Sequence, residues 1–310
     1  MTEPAVVLLS VSSFGVADPA PRERLEAAGL DVRDNPHGRR LKVGEISELI
    51  GEVDALIAGT EPLNGDVLGR AGRLRVISRV GVGLENVDLN AALRQGIVVR
   101  NTPDAVTDPV AELALSGILN LLRHISRMDR EMRAGEWNRR MGNLLRGRTV
   151  GVVGLGRIGR RLAALLAPFE VTLLAADRAP DHHAAARLNV RYVGLEELLA
   201  RADVVTLHLP GGDRPIIGAP ELAMMKPGAV LLNTSRGGLV DENALLEALR
   251  DERLAAAYID TFVDEPYDGP LRELPNVLLT PHAGSYAAEA RLRMEMEAVE
   301  NLLEALEEFR

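Results

Sequence analysis

Short apolar runs alternate with helical patterns along the first third of the chain. The runs at 5–11, 55–58, 75–80 and 97–100 are rich in Val, Ile and Leu and lack an every-other-residue polar rhythm. Strands buried on both faces read this way. Apolar positions at helical spacing lie between them, near 21–28, 44–50, 65–70 and 88–94. Strands that alternate with helices predict βαβ units and a parallel sheet. The middle of the chain repeats the pattern. A strand is predicted at 149–154, a helix at 157–166 and a second strand at 171–176, with further strands at 204–208, 229–233, 256–259 and 277–279. The fold class predicted is α/β, with two doubly wound parallel-sheet domains. Residues 109–133 carry Ala111, Leu113, Leu115, Ile118, Leu121 and Leu122 and predict one long, mostly buried helix. Residues 287–309 predict another, with Leu292, Met296, Val299 and Leu303 on one face and many Glu residues on the other.

Length agrees with two domains: 310 residues, at roughly 150 per domain. Lys plus Arg is 36 and Asp plus Glu is 45, a formal net charge of −9. That balance argues against nucleic acid and against an anionic membrane surface as partners. There is no cysteine, which excludes disulfides, Cys-ligated metal and thiol nucleophiles. No basic segment precedes the short apolar run at the N-terminus, so a secretory signal is not expected. The apolar stretch 110–122 is broken by Glu112, Ser116 and Asn120 and is too short to span a bilayer. A cytoplasmic protein is expected.

The strongest local motif is Gly154-Leu155-Gly156-Arg157-Ile158-Gly159. A lone GxGxxG is weak evidence, and context decides. Here it follows an apolar strand and opens a helix, and the chain returns to a strand ending at Asp177, 23 residues after Gly154. Gly154 permits the tight turn, Gly156 lets the backbone approach a pyrophosphate, and Gly159 lets the helix pack on the strand. The helix N-terminus supplies free N–H groups for the phosphates. Asp177 suits the free ribose hydroxyls of NAD and repels the 2′-phosphate of NADP, although Arg178 beside it softens that preference. His182 and His183 lack a carboxylate at metal-ligand spacing and are expected to be exposed.

With this turn in mid-chain, other segments become recognisable: RVGVGLENVDL at 79–89, NTPDAVTDPVAELAL at 101–115, ADVVTLHLP at 202–210, MKPGAVLLNTSRGGLVDENAL at 225–245, IDTFVDEP at 259–266 and NVLLTPHAGS at 276–285. Together they resemble the D-isomer-specific 2-hydroxyacid dehydrogenases, in the branch of the 3-phosphoglycerate dehydrogenases and glyoxylate/hydroxypyruvate reductases. The resemblance covers nearly the whole chain. It implies a Rossmann cofactor domain, 102–282, inserted into a flavodoxin-like substrate domain, 1–101 with 283–310, and an active site in the cleft between them. It also implies a catalytic trio: Arg236, Glu265 and His282. Taken singly, each has an ordinary alternative: a surface cation, a turn residue before Pro266, a structural histidine. Together in a matching frame they do not. Histidine has an unperturbed pKa of about 6.5 and can give or take the proton on the substrate C2 oxygen. Glu265 would hold the other ring nitrogen and favour the imidazolium. Arg236 is a permanently charged planar fork suited to an α-carboxylate.

By the same resemblance, Val80 and Gly81 belong to a segment whose backbone N–H groups receive the substrate carboxylate. Arg157 and Ile158 of the turn, together with His208, Pro210, Thr234, Ser235 and Asp260, belong to cofactor-lining segments. Trp137 resembles a residue at the contact of a homodimer built through the cofactor domain. Two positions depart from the phosphoglycerate dehydrogenases: Ala58 stands where they carry a phosphate-binding Arg, and Val106 where they carry Asn. Arg139 and Arg140 are either a replacement cation from a neighbouring subunit or two solvated charges. The expected reaction is hydride transfer between NAD(H) and C2 of a small 2-keto or D-2-hydroxy acid, such as 3-phosphohydroxypyruvate, glyoxylate or hydroxypyruvate. A NAD(H)-sensing protein without turnover, and a dehydrogenase of a phosphonate- or phosphite-type anion, are the alternatives.

Overall fold

The computed structural model describes residues 4–309. The chain divides into two compact units. One runs to Val106 and resumes at Ser285, and the other is Thr107–Gly284.

The first unit holds five parallel strands: β1 (Val6–Leu9), β2 (Asp31–Asp34), β3 (Ala55–Ala58), β4 (Val76–Arg79) and β5 (Val98–Asn101). Their order is β2-β1-β3-β4-β5, the flavodoxin-like order. β1 and β3 are fully buried runs, as their unbroken apolar sequence requires. β2 was not predicted. Its sequence is Asp-Val-Arg-Asp, and it forms at the sheet edge through backbone bonds to β1, where polar side chains face solvent. The C-terminal helix, Ala288–Glu307, packs on β3, β4 and β5. Ser78 Oγ in β4 donates to Ala298 O at 2.7 Å. The buried stripe of this helix is Ala290, Met294, Ala298, Val299, Leu302 and Ala305. Of the four positions expected on it, only Val299 is buried; Leu292, Met296 and Leu303 flank it half-buried. Small residues take the centre because the helix lies close on the sheet.

The second unit holds seven parallel strands: β6 (Thr149–Val153), β7 (Thr172–Ala176), β8 (Val190–Tyr192), β9 (Val204–Leu207), β10 (Ala229–Asn233), β11 (Leu254–Ile259) and β12 (Val277–Leu279). Their order is β12-β11-β10-β9-β6-β7-β8. The direction of winding reverses between β6 and β9, and in open α/β sheets ligands bind beyond the strand ends at such a reversal. β8, three residues at the edge, escaped prediction for the same reason as β2.

The long helix expected over 109–133 is two helices. The first, Thr107–Arg123, buries Val110, Ala111, Ala114, Gly117, Ile118, Leu121 and Leu122. His124 then takes a left-handed backbone (φ 56°), and Ile125–Arg133 follows with no buried residue. The Asn120 carboxamide holds the break, accepting from Ser126 N–H at 3.0 Å. The second piece has little to bury, so periodicity could not reveal where the first ended. Among the described residues no helix is long and apolar enough to cross a membrane.

Candidate active site

The cofactor and catalytic candidates of the second unit lie at the carboxyl ends of parallel strands or in the segments that follow them. Gly154 follows β6, Asp177 follows β7 and His208 follows β9. Thr234, Ser235 and Arg236 follow β10, Asp260 follows β11, and His282 lies three residues past β12. Shared strand direction brings to one edge residues scattered over 129 positions of sequence.

The glycine turn is shaped to receive phosphate. Gly154 sits at φ +95°, and a Cβ there would lie 2.4 Å from the His208 carbonyl oxygen. A Cβ on Gly159 would lie 2.2 Å from the Gly154 oxygen. Both positions therefore demand glycine for close approach of backbone to backbone. Gly156 differs: an added Cβ meets nothing within 4 Å. It is the N-cap of the ten-residue helix Arg157–Leu166 and has no side chain to cap it. The first turn of that helix presents N–H groups with no intrahelical acceptor, beside open space, which suits a pyrophosphate. Arg157 is exposed and Ile158 half-buried at the same turn.

Asp177 is tied to this turn. Its Oδ2 accepts from Leu155 N–H at 2.8 Å and its Oδ1 from Ala179 N–H at 2.9 Å. A carboxylate has about four acceptor positions, so capacity for hydroxyl donors remains. Arg178 is exposed.

Three buried polar atoms near these strand ends have no hydrogen-bond partner among the described residues: His208 Nδ1, Thr234 Oγ1 and Thr261 Oγ1. Buried polar groups are ordinarily paired, and such exceptions call for an explanation. A bound dinucleotide carries the donors and acceptors that would satisfy them, so the residues present fit that cofactor. His208 Nε2 lies 3.0 Å from Thr206 Oγ1, and burial pushes the ring down to about 4, so it is neutral near pH 7. Ser235 Oγ donates to Leu207 O at 2.6 Å, and Pro210 is exposed.

The acid–base pair is formed in full. His282 Nδ1 lies 2.9 Å from Glu265 Oε2 and 3.1 Å from Oε1. Glu265 Oε1 also accepts from Phe262 N–H at 3.0 Å, which fixes the carboxylate on its own loop. An acceptor at Nδ1 assigns the proton there and leaves Nε2 for exchange with a substrate. His282 holds a left-handed backbone, φ 52°, which is uncommon for a residue with a side chain and persists where its surroundings enforce it. Arg236 is half-buried, with Nη1 donating to Ser235 O at 2.8 Å. The next residue, Gly237, backs onto the Phe262–Val263 peptide, where a Cβ would lie 1.9 Å from Phe262 C. That contact couples the Arg236 segment to the loop bearing Glu265.

Asp260 is fully buried, and its carboxylate is turned toward its own chain. Oδ1 accepts from Ala283 N–H at 2.7 Å and Oδ2 from Gly284 N–H at 2.9 Å. Thr280 donates to Oδ1 as well. These bonds anchor the histidine turn; sequence alone had suggested only a place near the cofactor. Thr280, Thr261 and Tyr258 were not singled out from sequence, although each stands within two residues of one that was.

In the first unit, the N–H groups of Val80 and Gly81 are already engaged. Val80 donates to Ala58 O at 2.9 Å and Gly81 to Thr102 Oγ1 at 2.7 Å. A substrate carboxylate at these two groups would compete with those bonds. Ala58 is fully buried in β3. Trp137 is 79% exposed, and Ile125, Met132, Met141 and Leu144 are exposed on the same stretch of chain. Arg139 is exposed, whereas Arg140 forms a two-pronged ion pair with Glu131 at 2.9 and 3.0 Å. His182 and His183 are exposed, and no group of three potential metal ligands occurs among the described residues.

The D-isomer-specific 2-hydroxyacid dehydrogenase NAD-binding domain matches residues 115–284. Over 266 residues the chain is 40% identical to a glyoxylate reductase of Aeropyrum pernix, covering 81% of this chain and 79% of that one. It is 34% identical over 316 residues to a D-3-phosphoglycerate dehydrogenase of Synechocystis sp., covering 99% of this chain and 57% of that one. The crystal structure of the TT0316 protein from Thermus thermophilus superposes with a TM-score of 0.90 at 37% identity, covering 98% of this chain and 97% of that one. Fold and kinship together define a nicotinamide-dependent oxidoreductase. The chain belongs to the D-isomer-specific 2-hydroxyacid dehydrogenases.

Proposed function

We propose that this enzyme reduces a small, unphosphorylated 2-keto acid, glyoxylate or hydroxypyruvate, to the hydroxy acid with NADH. The observation that carries the chemistry is the His282–Glu265 pair, closed at 2.9 and 3.1 Å on Nδ1. A bound nicotinamide supplies the hydride for C2. His282 supplies the proton to the C2 oxygen from Nε2, and Glu265 holds the ring in the tautomer and orientation that make this possible. Arg236 binds the α-carboxylate as a charged fork and draws electron density from the carbonyl. The helix N-terminus at Gly156, with Arg157 and Ile158, binds the pyrophosphate. Asp177 takes the adenosine ribose hydroxyls and disfavours a 2′-phosphate. His208, Pro210, Thr234, Ser235 and Asp260 belong to the cofactor-lining strand ends.

Two observations support an unphosphorylated substrate. Ala58 stands where a phosphate-binding arginine would be expected, and it is fully buried. Arg140 is committed to Glu131, which leaves Arg139 as the one cation of that pair to test. The exposed apolar side chains from Ile125 to Leu144 support a homodimer through the cofactor unit.

The test is NADH oxidation followed at 340 nm with glyoxylate, hydroxypyruvate, pyruvate, 2-oxoglutarate and 3-phosphohydroxypyruvate. Higher kcat/KM for glyoxylate or hydroxypyruvate than for the phosphorylated acid is expected. A reversed order overturns the substrate assignment. NADH binding without turnover of any acid overturns the reaction. Sedimentation that shows only monomer overturns the dimer.

A further inference from the structure

We infer that Tyr258 is a positioning residue for His282, acting through Thr280 and Asp260. The inference rests on the assignment of His282 as the acid–base group.

The direction of each bond follows from proton counting. Thr280 lies between two partners, with Tyr258 Oη 2.9 Å from its Oγ1 and Asp260 Oδ1 bonded on its other side. A threonine hydroxyl has one proton, and an ionised carboxylate only accepts. Thr280 therefore donates to Asp260, and Tyr258 must donate to Thr280. Burial pushes the Tyr258 phenol well above its ordinary range, which keeps that proton in place. The chain of donation runs Tyr258 to Thr280 to Asp260, and each donor sharpens the next.

Asp260 receives this chain while holding the histidine turn. It accepts from the two residues after His282, through Ala283 N–H at 2.7 Å and Gly284 N–H at 2.9 Å. The N–H of His282 itself donates to the Asp260 backbone oxygen at 2.8 Å. One aspartate thus grips three consecutive residues and, through Thr280, the strand that leads into them. These bonds enforce the left-handed backbone at His282. Tyr258 is equally constrained. The residue is 1% exposed, and Gly117 leaves a notch for its ring, since a Cβ there would lie 2.2 Å from Tyr258 Cδ1. A phenol buried in a notch, with its hydroxyl spent on Thr280, serves the turn more than the core. A phenylalanine would fill the same notch without needing a partner.

A mutant cycle tests this on the full-length enzyme with glyoxylate and NADH. Tyr258→Phe should lower kcat about threefold to tenfold, the size of one neutral hydrogen bond. KM for NADH should stay unchanged, because the dinucleotide turn is untouched. Thr280→Val should cost more, since it leaves Asp260 with one donor fewer, and Thr280→Ser should restore most of the loss. The double variant Tyr258→Phe/Thr280→Val should be no slower than Thr280→Val alone, because the tyrosine acts only through the threonine. Additive losses, an unchanged kcat in Tyr258→Phe, or a rise in KM for NADH without a fall in kcat overturns the inference. His282→Ala, measured beside them, separates the two claims. If it is inactive while the cycle is additive, only the Tyr258 inference falls. If it retains full activity, the assignment of His282 falls.

Discussion

Two turns at the same edge of one sheet solve opposite problems. At Gly154–Gly159 the chain removes atoms. Two glycines permit backbone to touch backbone, and a third, Gly156, leaves open space beside a row of N–H groups. At Thr280–Gly284 the chain spends its backbone and hydroxyl donors on one aspartate. Thr280, His282, Ala283 and Gly284 all donate to Asp260, and Glu265 holds the imidazole. The first turn must accept an anion larger than any side chain, so the N–H groups at the start of its helix stay unspent. The second must hold a single nitrogen in one place, so its donors are consumed in fixing it. An unsatisfied backbone invites a ligand, and a fully satisfied one orients a reagent.

Substitutions should break this contrast in a graded way. The largest effect is expected at the oriented turn. His282→Ala removes the proton donor and should lower kcat by ~10² or more, with NADH binding retained by fluorescence titration. Near-normal turnover would remove His282 from the chemistry. Next comes the open turn. Gly156→Ala places a methyl group where the free chain has room and a pyrophosphate would not. KM for NADH should rise about tenfold or more while stability changes by less than about 1 kcal/mol. Gly159→Ala should instead destabilise the protein itself, because its Cβ would collide with the Gly154 carbonyl. If thermal unfolding ranks these two variants the other way, the cradle is wrongly placed. A smaller change is expected for Asp177→Ala, which should reduce the NADH-over-NADPH ratio in kcat/KM several-fold. An unchanged ratio would confine Asp177 to its bonds with Leu155 and Ala179.

The smallest effect is a pH dependence of stability. The His208 ring titrates near 4 when folded, against an ordinary value of 6.5. Between those values the unfolded chain binds the proton and the folded one does not, so stability should fall as pH drops through that window. Melting temperatures at about pH 7 and about pH 5 should show the loss, and His208→Gln should flatten it. An equally steep profile in the variant would assign the acid sensitivity elsewhere.

Much of the frame was legible in the sequence. Eight of the twelve strands among the described residues are fully buried or nearly so, and their apolar runs stand out because little on either face needs to be polar. β2 and β8 were not legible, because an edge strand owes its existence to a neighbour's backbone rather than to its own side chains. The break at His124 was hidden as well, since the helical pattern continues past it in a segment that buries nothing. The glycine turn could be read because strand, turn and helix are contiguous.

The amino-acid sequence by itself determined the strands, the phosphate-binding turn and the residue types for acid–base chemistry, because each depends on near neighbours along the chain. Tertiary structure decided which of those residues work together. Glu265 and His282 are 17 residues apart, and Tyr258 and Thr280 are 22 apart. They meet because β11 and β12 run parallel and end at the same level, so that the segments following them are brought side by side. Only that alignment turns Asp260 inward onto the histidine turn, and no local pattern in the sequence carries the information.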